Sequence, residues 1–185
     1  MIRSTRPRLQ TTAPRRAAFT LIEMIMVVAL LGMAASLLIP NMMNMTEFET
    51  EAAVRRLVTD FTFAQSDAVA RQRGRRVLFE EDGSGYRLLG DPYDPVADVL
   101  SDPIAWDGDG QCIINYTTDE RFLSISISNV GFDANAKFIT FNELGGAVAA
   151  DGSPSVGGSV TINGTDGSFR VDVAAFTGRV SVTRL

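Results

Sequence analysis

Between Phe19 and Ile39 the chain runs for 21 residues with a single charge, the carboxylate of Glu23. At about 1.5 Å per residue, a helix of that length spans roughly 32 Å, close to the hydrocarbon thickness of about 30 Å. The run is therefore read as one membrane crossing, with a short leader before it and an exported portion after it. A carboxylate at the centre of a bilayer costs about 2.5–3.5 kcal/mol on insertion scales, so it is rarely kept without a partner. Residues 1–18 hold Arg3, Arg6, Arg8, Arg15 and Arg16 and no acid, whereas Glu47, Glu49 and Glu51 follow the run. That asymmetry holds the N-terminus on the cytoplasmic side. A cut after Ala18 would give Phe19 a new α-ammonium one helical turn from Glu23. Opposite charges would then pair within one chain or between neighbours in an assembly.

The block Ala18-Phe19-Thr20-Leu21-Ile22-Glu23, entered from Pro14-Arg15-Arg16-Ala17, resembles the class III signal of type IV pilins and type II secretion pseudopilins. The resemblance implies cleavage between Ala18 and Phe19 by a membrane prepilin peptidase and N-methylation of Phe19 by the same enzyme. It also implies an assembly role for Glu23. The family usually has Gly before the cut where this chain has Ala18; alanine is similarly small, so processing is expected to survive. Further expectations are a single-pass bacterial inner-membrane protein with a periplasmic C-terminal domain, assembled into a periplasmic pseudopilus. Its partners would be other pseudopilins or pilins, the prepilin peptidase and an inner-membrane assembly platform.

Two ordinary export signals compete. A secretory signal cut near Ala34-Ala35-Ser36 would place Glu23 inside an h-region of about 7–15 apolar residues or leave an unusually long leader. Arg15-Arg16 has the look of a twin-arginine signal, which accommodates Glu23 no better. Within the run, Gly32 and Pro40 match places where pilin helices carry these residues, and the helix is expected to continue past Pro40.

From Glu51 onward Val54, Leu57, Val58, Phe61, Ala64 and Ala68 recur at spacings of three and four, with Arg55, Arg56, Thr59, Asp60 and Asp67 assigned to other faces. This is an amphipathic helix with one buried stripe. Arg71, Gln72 and Arg73 bring cations to its last turn, and Gly74 is the expected cap. A helix from Phe19 to about Arg73 follows. Beyond it, Arg75–Glu80 and Tyr86–Leu89 flank a Glu81–Gly85 turn and read as a hairpin. Further strands are expected at Cys112–Tyr116, Phe122–Ser128, Lys137–Asn142, Ser159–Asn163, Ser168–Ala174 and Arg179–Thr183, with 90–110 as a long loop. The fold class is α+β, a long N-terminal helix packed on an antiparallel β domain. Its divisions are a cleaved leader (1–18), a membrane and assembly helix (19–40) and an exported domain (41–185).

The stretch from Phe63 to Val77 is similar to the helix end and first strand of GspH/FimT-type minor pseudopilins. Phe141-Asn142-Glu143-Leu144-Gly145-Gly146 and Thr177-Gly178-Arg179-Val180 resemble their final strands. The branch implies a structural minor pseudopilin of a type II secretion pseudopilus. The alternative is a minor pilin that primes a type IV pilus or serves DNA uptake. A third class, an anchored binding module acting alone, would have no use for Glu23.

No catalytic site, cofactor or metal is expected. The chain has no histidine, which removes the usual imidazole base and metal ligand. Cys112 is the one thiol and reads as a core residue. Asp107-Gly108-Asp109-Gly110 offers oxygens but lacks the EF-hand spacing and its distal Glu, so it reads as a solvated turn. Loss of the leader arginines leaves 12 basic against 22 acidic residues, a net charge of −10. Arg71, Arg73, Arg75 and Arg76 cluster, yet an acidic envelope opposes nucleic acid by long-range repulsion.

Overall fold

The computed structural model describes residues 19–42, 45–101, 110–122, 124–165 and 167–185, with the side chains of 36–42 and 45–47 left aside. Ala18 and the rest of the leader, together with Asp107 and Asp109, lie outside the described residues. The chain divides into two units, Met1–Met42 and Met43–Leu185.

In the first unit, α1 spans Leu21–Met42. It passes through Pro40, as expected, where proline removes one amide hydrogen bond without ending the helix. Every described side chain along Leu21–Ala35 is exposed. Among the described residues no helix is long and apolar enough to cross a membrane. The expected span 19–40 includes residues whose side chains are not described.

The second unit opens with α2, Met45–Arg71. Residues 43 and 44, on which continuity with α1 depends, lie outside the described residues. Among the described residues nine strands follow: β1 Arg75–Phe79, β2 Gly85–Gly90, β3 Ile113–Asn115, β4 Ser126–Phe132, β5 Phe138–Phe141, β6 Ala147–Val148, β7 Gly157–Gly164, β8 Gly167–Ala174 and β9 Val180–Arg184. They form two antiparallel sheets, in the orders β3-β2-β1-β5-β6 and β4-β7-β8-β9. The class is the α+β arrangement read from the sequence. The buried stripe of α2 packs on strands of both sheets. Ala53, Leu57, Phe61, Ala64 and Ala68 are fully buried beneath it. Fully burying a side chain such as Phe61 contributes about 1.5–3 kcal/mol, and Phe61→Ala would cost about 3–5 kcal/mol. Its ring lies 6.3 Å from Phe79 and 6.4 Å from Phe141, and Phe79 stacks on Phe132 of the second sheet at 5.9 Å.

Four details depart from the sequence expectation. Asp60 is buried, not on an outer face. Gln72, not Gly74, ends α2: it takes the left-handed conformation (φ 51°), the Gln72 amide donates to Val69 O, and the Arg73 amide donates to Ala68 O. That pair of bonds is a Schellman closure, which asparagine or glycine usually provides. The expected strand at Phe122 begins later, at Ser126, because Phe122 instead turns its ring edge onto Tyr116 at 5.5 Å. Finally, the stretch expected as a loop from residue 90 returns to the sheet through bridges between Leu89 and Val99 and between Ser101 and Gln111.

Candidate functional site

Phe19 and Thr20 precede the first turn of α1, and Glu23 is its third residue. The Thr20 hydroxyl accepts a hydrogen bond from the Glu23 amide at 3.3 Å, and the Thr20 carbonyl accepts from the Glu23 and Met24 amides at 3.1 and 3.3 Å. Thr20 is thus the N-cap, occupying one of the orphan donors that every helix start exposes. A carboxylate in the first turn faces the positive end of the helix dipole. Thr20 and Glu23 stand at the spacing of a capping box, a signal present in the sequence that the charge argument passed over. Phe19 is 78% exposed, and Leu21, Ile22, Met24 and Ile25 all present more than half of their surface. A continuous apolar surface of this kind demands cover from lipid or from other helices.

At the C-terminal end of α2, three of the four clustered arginines have internal partners, while Arg71 and Arg73 stay exposed. Asp67 accepts from Arg71 Nε at 2.8 Å and from Arg75 Nε at 2.6 Å, and the Arg75 side chain is only 5% exposed. Burial alone would raise the Asp67 pKa, but the hydrogen bonds from the two guanidinium groups outweigh it and hold it below the ordinary value. Arg76 lies flat between Tyr93 and Phe138, 4.1 and 4.0 Å from the ring centres, while its Nε donates to Thr140 at 3.0 Å. Such stacking suits a planar guanidinium. Two of the four arginines are therefore pinned inside the helix–sheet junction and a third is tied to Asp67.

Cys112 is buried in the hydrophobic core, in keeping with a packing role. Among the described residues no group of His, Cys, Asp and Glu is placed to hold a metal ion. The Asp107–Gly110 turn lies largely outside the described residues.

The family described as Type II transport protein GspH matches residues 53–178, and the prokaryotic N-terminal methylation motif matches residues 13–39. No curated protein matches the chain. Among solved structures, it is similar to the Pseudomonas aeruginosa type IV minor pilin FimU, with 16% identity over 74% of this chain and 90% of that one, at a TM-score of 0.44. It is also similar to the minor pseudopilin EpsH from the type 2 secretion system of Vibrio cholerae. There the identity is 10% over 74% of this chain and 97% of that one, at a TM-score of 0.43.

Proposed function

The chain belongs to the GspH family of type II transport proteins, and on that premise we propose that it is a structural minor pseudopilin of a type II secretion pseudopilus. The observation that carries the reading is the pairing of a GspH domain with a capped helix whose apolar side chains stand uncovered and whose single charge is Glu23. In this reading the leader is removed between Ala18 and Phe19, Phe19 is methylated, and the subunit waits in the inner membrane with its C-terminal domain in the periplasm. The assembly platform then draws it into the filament. Glu23 attracts the Phe19 amine of an adjacent subunit inside an apolar surrounding. A buried ion pair contributes little net stability, but it discriminates between registers, because a shifted helix leaves two charges unpaired. The protein acts as a building block and not as an enzyme.

A minor pilin of a type IV pilus would use the same helix, and the GspH match of the exported domain favours secretion. The engagement of Arg71 and Arg75 by Asp67 weighs against DNA uptake, since phosphate contacts need free cations. Glu23→Leu tests the proposal: it retains membrane levels and loses incorporation into the filament. Normal incorporation of that variant, or a native chain whose mass includes the arginine leader, refutes it.

A further inference from the structure

A sheet edge with nothing beside it exposes a row of backbone donors and acceptors, and folded proteins shorten, bulge or cover such edges. Three of the four edges in the described residues are managed in this way. β3 has three residues and β6 two. β4 is bulged between Ser128 and Gly131, and it is further covered where the Ile127 amide donates to Gly83 O and Lys137 donates to Val130 O at 2.7 Å. The fourth edge, β9, is five residues long, regular in register with β8, free of proline, lysine and bulges, and exposed from Ser181 to Arg184.

The direction of its backbone groups follows from two bonds. The Leu185 amide donates to Ser168 O, and the Ala174 amide donates to Arg179 O. Odd-numbered residues of β9 therefore face β8, and Val180 and Val182 turn their amides and carbonyls outward, as antiparallel alternation requires. Beside this edge an open groove of about 510 Å³ runs between α2 and the sheet, lined by Val54, Val58, Phe169 and Val182 with Glu51 and Arg55 at its rim. Val182 is 44% exposed there.

We propose that β9 pairs with β9 of a second copy of this chain, antiparallel about a two-fold axis at Val182, joining two four-stranded sheets into one. The strand is complementary to itself in that register. Val182 faces Val182, Val180 faces Arg184, and Ser181 faces Thr183, so no like charges meet. On this flank Arg55 pairs with Glu51 and Arg170 with Asp172, each at 3.2 Å, and β9 itself carries Arg184, so the excess negative charge of the chain is not concentrated there. A five-residue strand is about 17 Å long and buries far less than the roughly 800 Å² per partner of a stable complex. The pair forms where a shared membrane anchor raises the effective concentration. A two-fold contact closes on itself, so it belongs to subunits waiting in the membrane and not to the growing filament. The inference rests on the filament-subunit reading only for that anchor.

The test uses full-length chains in native membranes, where Cys112 is buried and stays silent. Ser181 and Thr183 form a non-hydrogen-bonded pair across the two-fold, a separation that a disulfide spans. Coexpressed Ser181→Cys and Thr183→Cys chains are expected to give about tenfold more linked dimer on oxidation than either variant alone. Adding Val182→Pro to both removes the outward amide but leaves the β8 ladder intact, and the linked dimer falls to the single-variant level. Equal yields in all combinations, linkage insensitive to Val182→Pro, or capture of a different protein in place of the second copy overturns the proposal. Glu23→Leu leaves the linkage unchanged, which separates failure of this inference from failure of the assembly reading.

Discussion

The hydroxyl of Tyr86 donates a 2.7 Å hydrogen bond to the carboxylate of Asp60, and both are buried where α2 meets the sheet. Arg56 Nε reaches the same carboxylate oxygen at 2.9 Å, so a charge set in the middle of the buried stripe is neutralised from its own helix and fixed from the sheet. Burial raises the Tyr86 pKa well above its ordinary value of 10.0, and the nearby Tyr116 and Asp60 push it further in the same direction.

Tyr86→Phe removes that donor without opening a cavity. The expected loss is about 1–2 kcal/mol in urea unfolding, because Asp60 keeps its guanidinium partner. A group whose folded pKa is raised contributes stability below its unfolded pKa and loses it as pH rises. The wild type therefore loses stability relative to Tyr86→Phe above about pH 10, the ordinary tyrosine value.

Asp67→Ala leaves Arg75 buried without its carboxylate. Breaking such a pair is expected to cost about 3 kcal/mol. Because the Asp67 pKa is lowered in the folded state, its contribution is complete above the ordinary value of 3.8 and fades as pH falls through the lower folded one. Thermal melts at pH 7 and below pH 3 check both points: the gap between wild type and variant is wide at the first and narrow at the second.

Gly74 is required by an approach and not by its backbone angle. A Cβ there would run into the Tyr93 hydroxyl and lie 3.1 Å from Tyr93 Cζ, and the ring cannot swing away because Arg76 stacks on it. Gly74→Ala is expected to destabilise by about 1–3 kcal/mol, the usual range for overpacking. Tyr93→Phe in the same chain recovers part of the loss, a non-additivity read from a double-mutant cycle.

Residues 43–185 are expected to give no gel shift with duplex DNA even at low salt. Arg71 and Arg75 are held by Asp67, and Arg76 is clamped between two rings. A shift that fades with salt would show that these contacts open to phosphate.

Much of this architecture is legible in the chain alone, since it follows from local periodicity. The apolar run ending near Pro40, the three-and-four spacing from Val54 to Ala68 and the turn at Glu81–Gly85 each specify an element without reference to anything distant. The family signal from Ala18 to Glu23 is likewise local, a small residue and a motif next to one another. Even the cap at Thr20 is written in its distance from Glu23.

What tertiary structure decided are the matters that depend on residues far apart. Asp60 occupies a buried position because Tyr86, 26 residues away, supplies a hydrogen bond that offsets its desolvation. Arg75, read as part of a basic cluster, is buried because the chain reversal after Gln72 brings it back onto Asp67. The division into two sheets, and with it the undisguised edge at β9 among the described residues, emerges only when α2 packs on strands of both. Period and propensity act over a few residues, whereas burial and partnership are properties of the folded whole, so a linear reading assigns the elements and leaves their charges to be placed by packing.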